Sequence, residues 1–256
     1  MSDWNSALYL KFRAERTQPA IDLAKRIDIN NPKRIIDIGC GPGNSTHVLA
    51  SQFAEASVLG VDSSMDMIEA ARKTYPAIDF QLCDASKDLP AIGDTFDIVF
   101  SNACIQWIPN HHQLLPHMMG LLREGGTLAI QTPMNTKEPI HQIILELVAS
   151  QTWAHKFSSP RIFYNLSPGE YFDLLSDISS DFTIWETTYF HRMSSHQSIL
   201  EWYRGTGLRP YLNALSERDR AVFEKDVLDE VVKAYPIQKN GEIIFRFPRL
   251  FLLATK

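Results

Sequence analysis

Five short apolar runs, at residues 34–38, 57–61, 78–82, 96–101 and 127–131, alternate with helix-length segments over the first half of the chain. The segments between them carry helical periodicity at 44–54, from Ser63 or Ser64 to Tyr75, and at 111–123. Asn44 or Ser45 can cap the first of these, Pro76 stops the second, and Gly125-Gly126 is expected to stop the third. Continuously apolar strands separated by helices mark a parallel sheet covered on both faces. The pattern therefore predicts an α/β chain with a Rossmann-like, doubly wound sheet.

The alternation loosens after residue 135. A helix is expected over 140–149, mixed structure over 150–181, a strand over 183–190, and helices near 196–205 and 216–235. Residues 242–253 read as a strand, but Pro248 argues against an unbroken central ladder there. The organisation expected is a helical arm or lid (1–33), a sheet core (34–135), a cap insertion (136–181), a core strand (182–191), cap helices (192–240) and a last core strand (241–256). In the arm, Trp4, Tyr9, Phe12 and Arg16 come first, and Thr17 is placed to cap a helix with Pro19 in its first turn.

Composition excludes several function classes. Twenty-five Lys and Arg against 30 Asp and Glu give a net charge of -5, the wrong sign for a phosphate-backbone binder. The three cysteines, Cys40, Cys83 and Cys104, form no CxxC pair, and the eight histidines form no HExxH, so neither a disulfide framework nor a metal is expected. No run approaches the roughly 18 uncharged apolar residues of a membrane span. The start of the chain lacks a basic region followed by an apolar core. The expectation is a cytoplasmic protein with no nucleic-acid or membrane partner.

The stretch IIDIGCGPGNS, Ile35 to Ser45, concentrates the chemistry. An apolar strand runs into three glycines and then a helix start. Glycines permit positive φ and close approach of a ligand to the backbone, and the helix N-terminus favours a ligand carboxylate or phosphate. A dinucleotide fingerprint would need a third glycine at position 44, which is Asn44. Asp37 suits an ammonium or sulfonium group better than a pyrophosphate. Asp62, closing the second run, can accept from both hydroxyls of a ribose, or serve as a helix cap. Asp84, after the third run, can accept from a purine amine, or simply hold a turn. Met65 and Cys83 can sandwich a ring, although a methionine at a helix start equally fills a core.

Taken together and in order, Asp37-Ile-Gly39-Cys-Gly41-Pro-Gly43, Asp62 and Cys83-Asp84-Ala85 resemble the motifs of class I S-adenosylmethionine-dependent methyltransferases. That resemblance implies a seven-stranded sheet with an antiparallel last strand and S-adenosylmethionine as cofactor. It implies that Gly39 and its neighbours, Gly41 among them, meet the methionine moiety, Asp62 the ribose, and Asp84 with Ala85 the adenine, with Asn102 near the methyl; Ser63 and Met65 are expected to join the cofactor site beside Asp62. Further segments, SDWNSALYLKFRAERTQPA, SNACIQWIPNH, GTGLRPYL and FPRLF, resemble the carboxyl O-methyltransferases of small tricarboxylic acids. The implied partner is a small tricarboxylate, and the implied state a monomer or weak dimer.

The reaction itself sets demands. A carboxylate is already ionised near pH 7, so no general base and no catalytic side chain in that sense is required. An anion meets a sulfonium and both charges vanish, so positioning in a dry site matters most; positioning alone can supply roughly 7–11 kcal/mol. Arginine should grip the carboxylates that do not react, because a guanidinium on the reacting one would blunt it. The candidates are Arg209 and Arg249 first, then Arg161, Arg192 and Arg246. Gln106 and Trp107 follow the fourth run, where open α/β sheets bind ligands, and are expected to orient and wall the substrate. Tyr189 and His191 close the sixth run and are expected to add hydrogen bonds. Arg16 is expected to reach the cofactor carboxylate. The competing readings are a methyltransferase of another small or carrier-bound acid, a nicotinamide oxidoreductase and a non-catalytic cofactor-binding module.

Overall fold

A computed structural model describes residues 12–158 and 161–256 of the chain; Trp4 and Tyr9 lie outside them. Seven strands form one sheet in the order β3-β2-β1-β4-β5-β7-β6. They are β1 (Arg34–Ile38), β2 (Ser57–Asp62), β3 (Asp79–Leu82), β4 (Phe96–Asn102), β5 (Leu122–Pro133), β6 (Asp181–Met193) and β7 (Ile243–Thr255). The pairs among β1 to β5 are parallel, and β7 runs antiparallel to both β5 and β6.

Alternate side chains explain why both faces are covered. Ile35, Ile98, Phe100, Ala129 and Phe251 point to one side, where they meet Ala20 and Leu23 of α1 (Arg13–Ala24) and Leu49 of α2 (Asn44–Gln52). Their neighbours Ile36, Ile38, Val99, Leu128 and Ile130 point to the other, against α4 (His111–Gly120) and α6 (Pro168–Ile178). Helix α3 (Met65–Thr74) packs Ile68 and Ala71 on Phe80 and Cys40.

The cap consists of α5 (Pro139–Ala149), α7 (His196–Arg204), α8 (Arg209–Ala214) and α9 (Glu217–Ala234). Its own core gathers Ile140, Ile144, Trp202, Tyr203, Phe223 and Val227 around Phe245 and Phe247. The β6–β7 hairpin makes this possible. Both strands run 13 residues, and the half of β7 before Arg249 extends beyond the end of β5, giving the cap a platform.

Four local expectations need correction. Residue Pro248 does not interrupt β7: its carbonyl accepts from Met134 N at 2.9 Å, so its missing N–H faces the side where β5 has just ended. The ladder to β6 continues through it. Helix α4 stops at Gly120, not near Arg123, and Gly125-Gly126 lie inside β5. The register jumps there from Phe96↔Leu122 to Ile98↔Thr127, and Gly125 takes φ +71°, so the glycines form a bulge. Helix α1 begins at Arg13, which puts Thr17 and Pro19 inside it instead of at its cap. Finally, α6 belongs to the sheet layer instead of the cap insertion: Tyr171, Leu174 and Leu175, spaced as one helical face, are buried against the sheet.

Candidate functional site

The turn after β1 is shaped by its glycines. Gly39, Gly41 and Gly43 all adopt positive φ, at 75°, 54° and 89°. A Cβ on Gly39 would sit 2.1 Å from Cys104 Sγ, whereas one on Gly41 would meet no heavy atom within 4 Å. Gly39 is therefore needed to let the β1 and β4 turns pass each other, and Gly41 leaves open space beside the backbone. Asp37 lies beneath, fully buried, and accepts from Ser45 Oγ at 2.6 Å and Thr46 Oγ1 at 2.7 Å. Burial pushes its carboxyl up to about 6 despite those two hydroxyls. It ties β1 to the start of α2 and does not line the cleft.

Asp62, at the end of β2, does line it. Its two carboxylate oxygens accept from Gly41 N and Ser64 N, each at 2.9 Å, which leaves lone pairs for further donors. Burial raises its pKa, while the backbone N–H groups oppose the rise. Asp84 accepts from Ser86 N and Oγ and pairs with Lys87, and the Ser86 contact leads in holding its pKa down. Ser63, Cys83 and Ala85 join these two carboxylates on the wall.

At the end of β4 stand Asn102 and Ala103, the latter held at φ +54°, a left-handed conformation that costs a β-carbon residue about 1–3 kcal/mol. Asn102 Oδ1 is buried with no hydrogen-bond partner among the described residues. The 3-10 turn Ile105–Trp107 follows. Gln106 donates to Ala103 O at 2.7 Å and accepts from Thr132 Oγ1 at 3.3 Å, so its amide is locked. His111 braces this turn from behind. Its Nε2 lies 2.9 Å from Ile105 O and must donate there, so its Nδ1 accepts from Tyr171 OH at 2.7 Å.

The far side of the cleft comes from α1, β7 and the cap. Arg16 donates to Trp202 O at 3.1 Å and stands over that ring at 4.9 Å. Arg161 stands 3.9 Å over the Trp107 ring and donates to Thr206 O at 3.1 Å. Arg249, 4 % exposed, stands over Phe247 and donates to Gln131 Oε1 at 3.2 Å. Asn135 donates to Tyr203 OH at 2.8 Å. All these residues except Gln131 line one cleft of about 380 Å³ with the glycine turn and the two aspartates.

The structure thus gathers Arg16, Gly39, Gly41, Asp62, Ser63, Asp84, Ala85, Asn102, Gln106, Trp107 and Arg249. Several expected residues stand elsewhere. Met65 is half exposed at the first position of α3, and Met67, two residues on, takes its place on the wall. Tyr189 donates to Asp22 Oδ2 at 2.5 Å and packs behind α1. His191 packs against Trp202, the rings tilted by 31° with centroids 5.0 Å apart, and it does not line the cleft. Arg209 opens α8 and is not on the wall. Arg192 pairs with Glu242 at the surface and Arg246 with Glu138. Asn135, Phe163, Trp202 and Tyr203 escaped the sequence reading, since no local motif marks them. Among the described residues no helix is long and apolar enough to cross a membrane, and no three His, Cys, Asp or Glu could hold a metal ion.

Comparison with known proteins agrees with this architecture. The methyltransferase-domain family profile matches residues 35–126. Among solved structures, YcgJ from Bacillus subtilis superposes with a TM-score of 0.61 at 18% identity, covering 93% of this chain and 98% of that one. Phosphoethanolamine N-methyltransferase 2 of Haemonchus contortus, solved with S-adenosyl-L-methionine, gives 0.56 at 20%, covering 93% and 52%. Sequence relatives are nearer. Trans-aconitate 2-methyltransferase of Methylobacterium radiotolerans is 41% identical over 100% of this chain and 99% of its own length. The enzymes of that name from Enterobacter sp. (strain 638) and Escherichia coli K12 are 41% and 40% identical over the same shares. By identity that runs the full length of both chains, this protein belongs to the trans-aconitate 2-methyltransferase family.

Proposed function

We propose that the chain transfers a methyl group from S-adenosylmethionine to a carboxylate of trans-aconitate, releasing the monomethyl ester and S-adenosylhomocysteine. The division of charge within a single cleft carries this reading. Asp62 and Asp84 stand at the ends of β2 and β3, while Arg16, Arg161 and Arg249 stand on the α1, cap and β7 side. In the strand order, β2 and β7 are four spacings apart, roughly 19 Å at about 4.8 Å each. That span accommodates an extended nucleoside at the acidic end and a polyanion at the basic end.

The residues present fit the cofactor. Gly41 leaves backbone-deep space where any Cβ would intrude. Asp62 keeps acceptor capacity for a pair of hydroxyls, and Asn102 Oδ1 is a buried acceptor without a partner among the described residues, suited to an ammonium. Ser63, Met67, Asp84 and Ala85 would hold the nucleoside base and sugar. When bound, S-adenosylmethionine supplies a methyl group activated by its sulfonium.

The chain's own residues need only bind, orient and exclude water. The substrate carboxylate is ionised at neutral pH, so no side chain has to take its proton. Arg161 and Arg249 would grip the two non-reacting carboxylates; at 4 Å and an effective dielectric near 20, each contact is worth about 4 kcal/mol before desolvation. Locked by two hydrogen bonds, Gln106 presents a fixed wall, and Trp107 with Phe163 closes the side. Excluding water favours a reaction that destroys two charges, since the reactants lose more hydration than the transition state does.

A radiolabelled methyl-transfer assay against a panel of di- and tricarboxylic acids, with mass spectrometry of the products, tests the proposal. Trans-aconitate is expected to take up label most efficiently and to gain the mass of one methylene. Protein that binds the cofactor yet labels none of the acids would refute it.

A further inference from the structure

The Tyr203 hydroxyl gives the cleft a neutral donor beside its arginines. Asn135, two residues past the end of β5, and Tyr203, in α7, are both buried and both line the cleft. Asn135 Nδ2 donates to Tyr203 OH at 2.8 Å. An amide N–H₂ only donates, so the hydroxyl is the acceptor in that bond and its own proton is left to give. Among the described residues none accepts it. Burial leads in raising the pKa of Tyr203, so the proton is present at neutral pH. A buried O–H without an acceptor is unfavourable, and a ligand oxygen in the cleft would remove that cost.

The side chain is held in place before any ligand arrives. Its ring packs on Phe245 in the cap core, with centroids 6.3 Å apart. The Tyr203 carbonyl accepts from Thr206 N at 3.0 Å and from Leu208 N at 2.9 Å, which folds the Gly205-Thr206-Gly207 segment back over it. A Cβ on Gly207 would come within 2.8 Å of Tyr203 Cδ1 and 3.0 Å of Cε1, so that glycine lets the segment lie directly on the ring. The GTG stretch thus has a local task, the seating of Tyr203. Asn135 is seated in turn, its carbonyl accepting from Glu138 N at 3.0 Å just before α5. A donor fixed in this way loses little freedom on binding. It also carries no charge, so it can orient a carboxylate without blunting it as a guanidinium would.

We infer that Tyr203 is a substrate-binding residue that donates its hydroxyl proton to a carboxylate oxygen of the tricarboxylate, with Asn135 as the positioning residue that aims it. This rests on the reading of the cleft as a tricarboxylate methyltransferase site. Tyr203→Phe keeps the ring and removes the donor. Asn135→Leu keeps the size and removes the group that aims it.

Steady-state kinetics with trans-aconitate at several ionic strengths, beside calorimetric cofactor binding and melting temperatures, separate the outcomes. Tyr203→Phe is expected to raise KM about tenfold, with kcat within about threefold and cofactor affinity within about twofold of the parent. Because the lost donor is neutral, the slope of KM against salt should stay that of the parent. Asn135→Leu is expected to raise KM about three- to tenfold, and the double variant to be no worse than Tyr203→Phe alone, since both act through one hydroxyl. A parental KM in folded Tyr203→Phe overturns the inference, and turnover of trans-aconitate by the parent then leaves the methyltransferase reading standing. If the two KM effects multiply in the double variant, Asn135 does not act through Tyr203 and its positioning role is overturned. Parent protein that binds the cofactor yet does not methylate trans-aconitate removes the reading and this inference together. Should Tyr203→Phe not fold, a parental KM in folded Asn135→Leu overturns the inference by itself.

Discussion

At the strand-end side of the cleft, polar groups are fixed by partners close in sequence. Asp84 is held from Ser86, two residues on, and Asp62 from Ser64, two residues on, and from Gly41, 21 residues back. On the cap side the separations are of another order: 45 residues from Arg161 to Thr206, 118 from Arg249 to Gln131 and 186 from Arg16 to Trp202. One end is a set of turns that carry their own geometry. The other exists only once the β6–β7 hairpin has risen past β5 and the cap helices have packed on Phe245 and Phe247. Changes at the first end should therefore strike cofactor binding with the cap intact. Changes at the second should strike substrate binding with the nucleoside site intact.

The largest effect is expected at Gly39. A methyl there collides with Cys104 Sγ at 2.1 Å and requires φ +75°, so Gly39→Ala should weaken cofactor binding more than a hundredfold and lower the melting temperature as well. Gly41→Ala meets no protein atom within 4 Å, so it should fold with only the cost of its positive φ. Its methyl occupies ligand space instead, and calorimetry should show cofactor affinity reduced about tenfold. If the two variants lose stability and affinity in the same proportion, the distinction between a packing glycine and a ligand glycine collapses.

Next in size is Arg161, stacked on Trp107 and tied to Thr206 O. Arg161→Ala should raise the KM for trans-aconitate by about ten- to a hundredfold, since a charge-assisted contact is worth about 1.5–3 kcal/mol. Cofactor affinity measured without substrate should stay within twofold. A matched loss of both affinities would mean that the two ends of the cleft are not separable.

The same contrast decides what the sequence made legible. The β1 turn, Asp62 and Asp84 each stand at or just past the end of a strand, so local residue types and spacing sufficed. Where the assembly is long-range, spacing failed. Arg209 is placed between GTG and Pro210, yet at the start of α8 it does not line the cleft, and Arg161 in an aromatic-rich loop does. Tyr189 was assigned a ligand although strand alternation sends it behind α1. Helix α6 did carry a readable signal: Tyr171, Leu174, Leu175 and Ile178 form one helical face, the mark of a helix covering the sheet.

That helix supplies a smaller, sharper test. Tyr171 OH saturates His111, which holds the Ile105–Trp107 turn on the boundary between the two ends. Tyr171→Phe removes one buried hydrogen bond, at a cost of about 1 kcal/mol in stability. Because it loosens the turn that positions Gln106 and Trp107, kcat should fall three- to tenfold while cofactor affinity is unchanged. A fall in stability with parental kcat would make the pair purely structural.

The smallest expected effect is a near-cancellation in acid. His191, behind the cap side, titrates at about 4 in the folded chain against an ordinary value of 6.5. Its contribution to stability is complete above pH 6.5 and is lost as pH falls toward 4, because the unfolded chain takes up the proton first. Asp37, beneath the β1 turn, titrates at about 6 against 3.8, so its contribution has the opposite sign: present below 3.8 and lost as pH rises through about 6. Between pH 6.5 and 4 the cap side therefore loses stability while the strand-end side gains it. From these two groups together the parent should change by only about 1 kcal/mol, since each pKa unit is worth about 1.4 kcal/mol and the shifts are of similar size. His191→Phe leaves Asp37 unopposed, so its urea midpoint relative to the parent should improve steadily from pH 7 to pH 5. Parallel midpoints across that range would show that His191 is not held neutral in the folded chain.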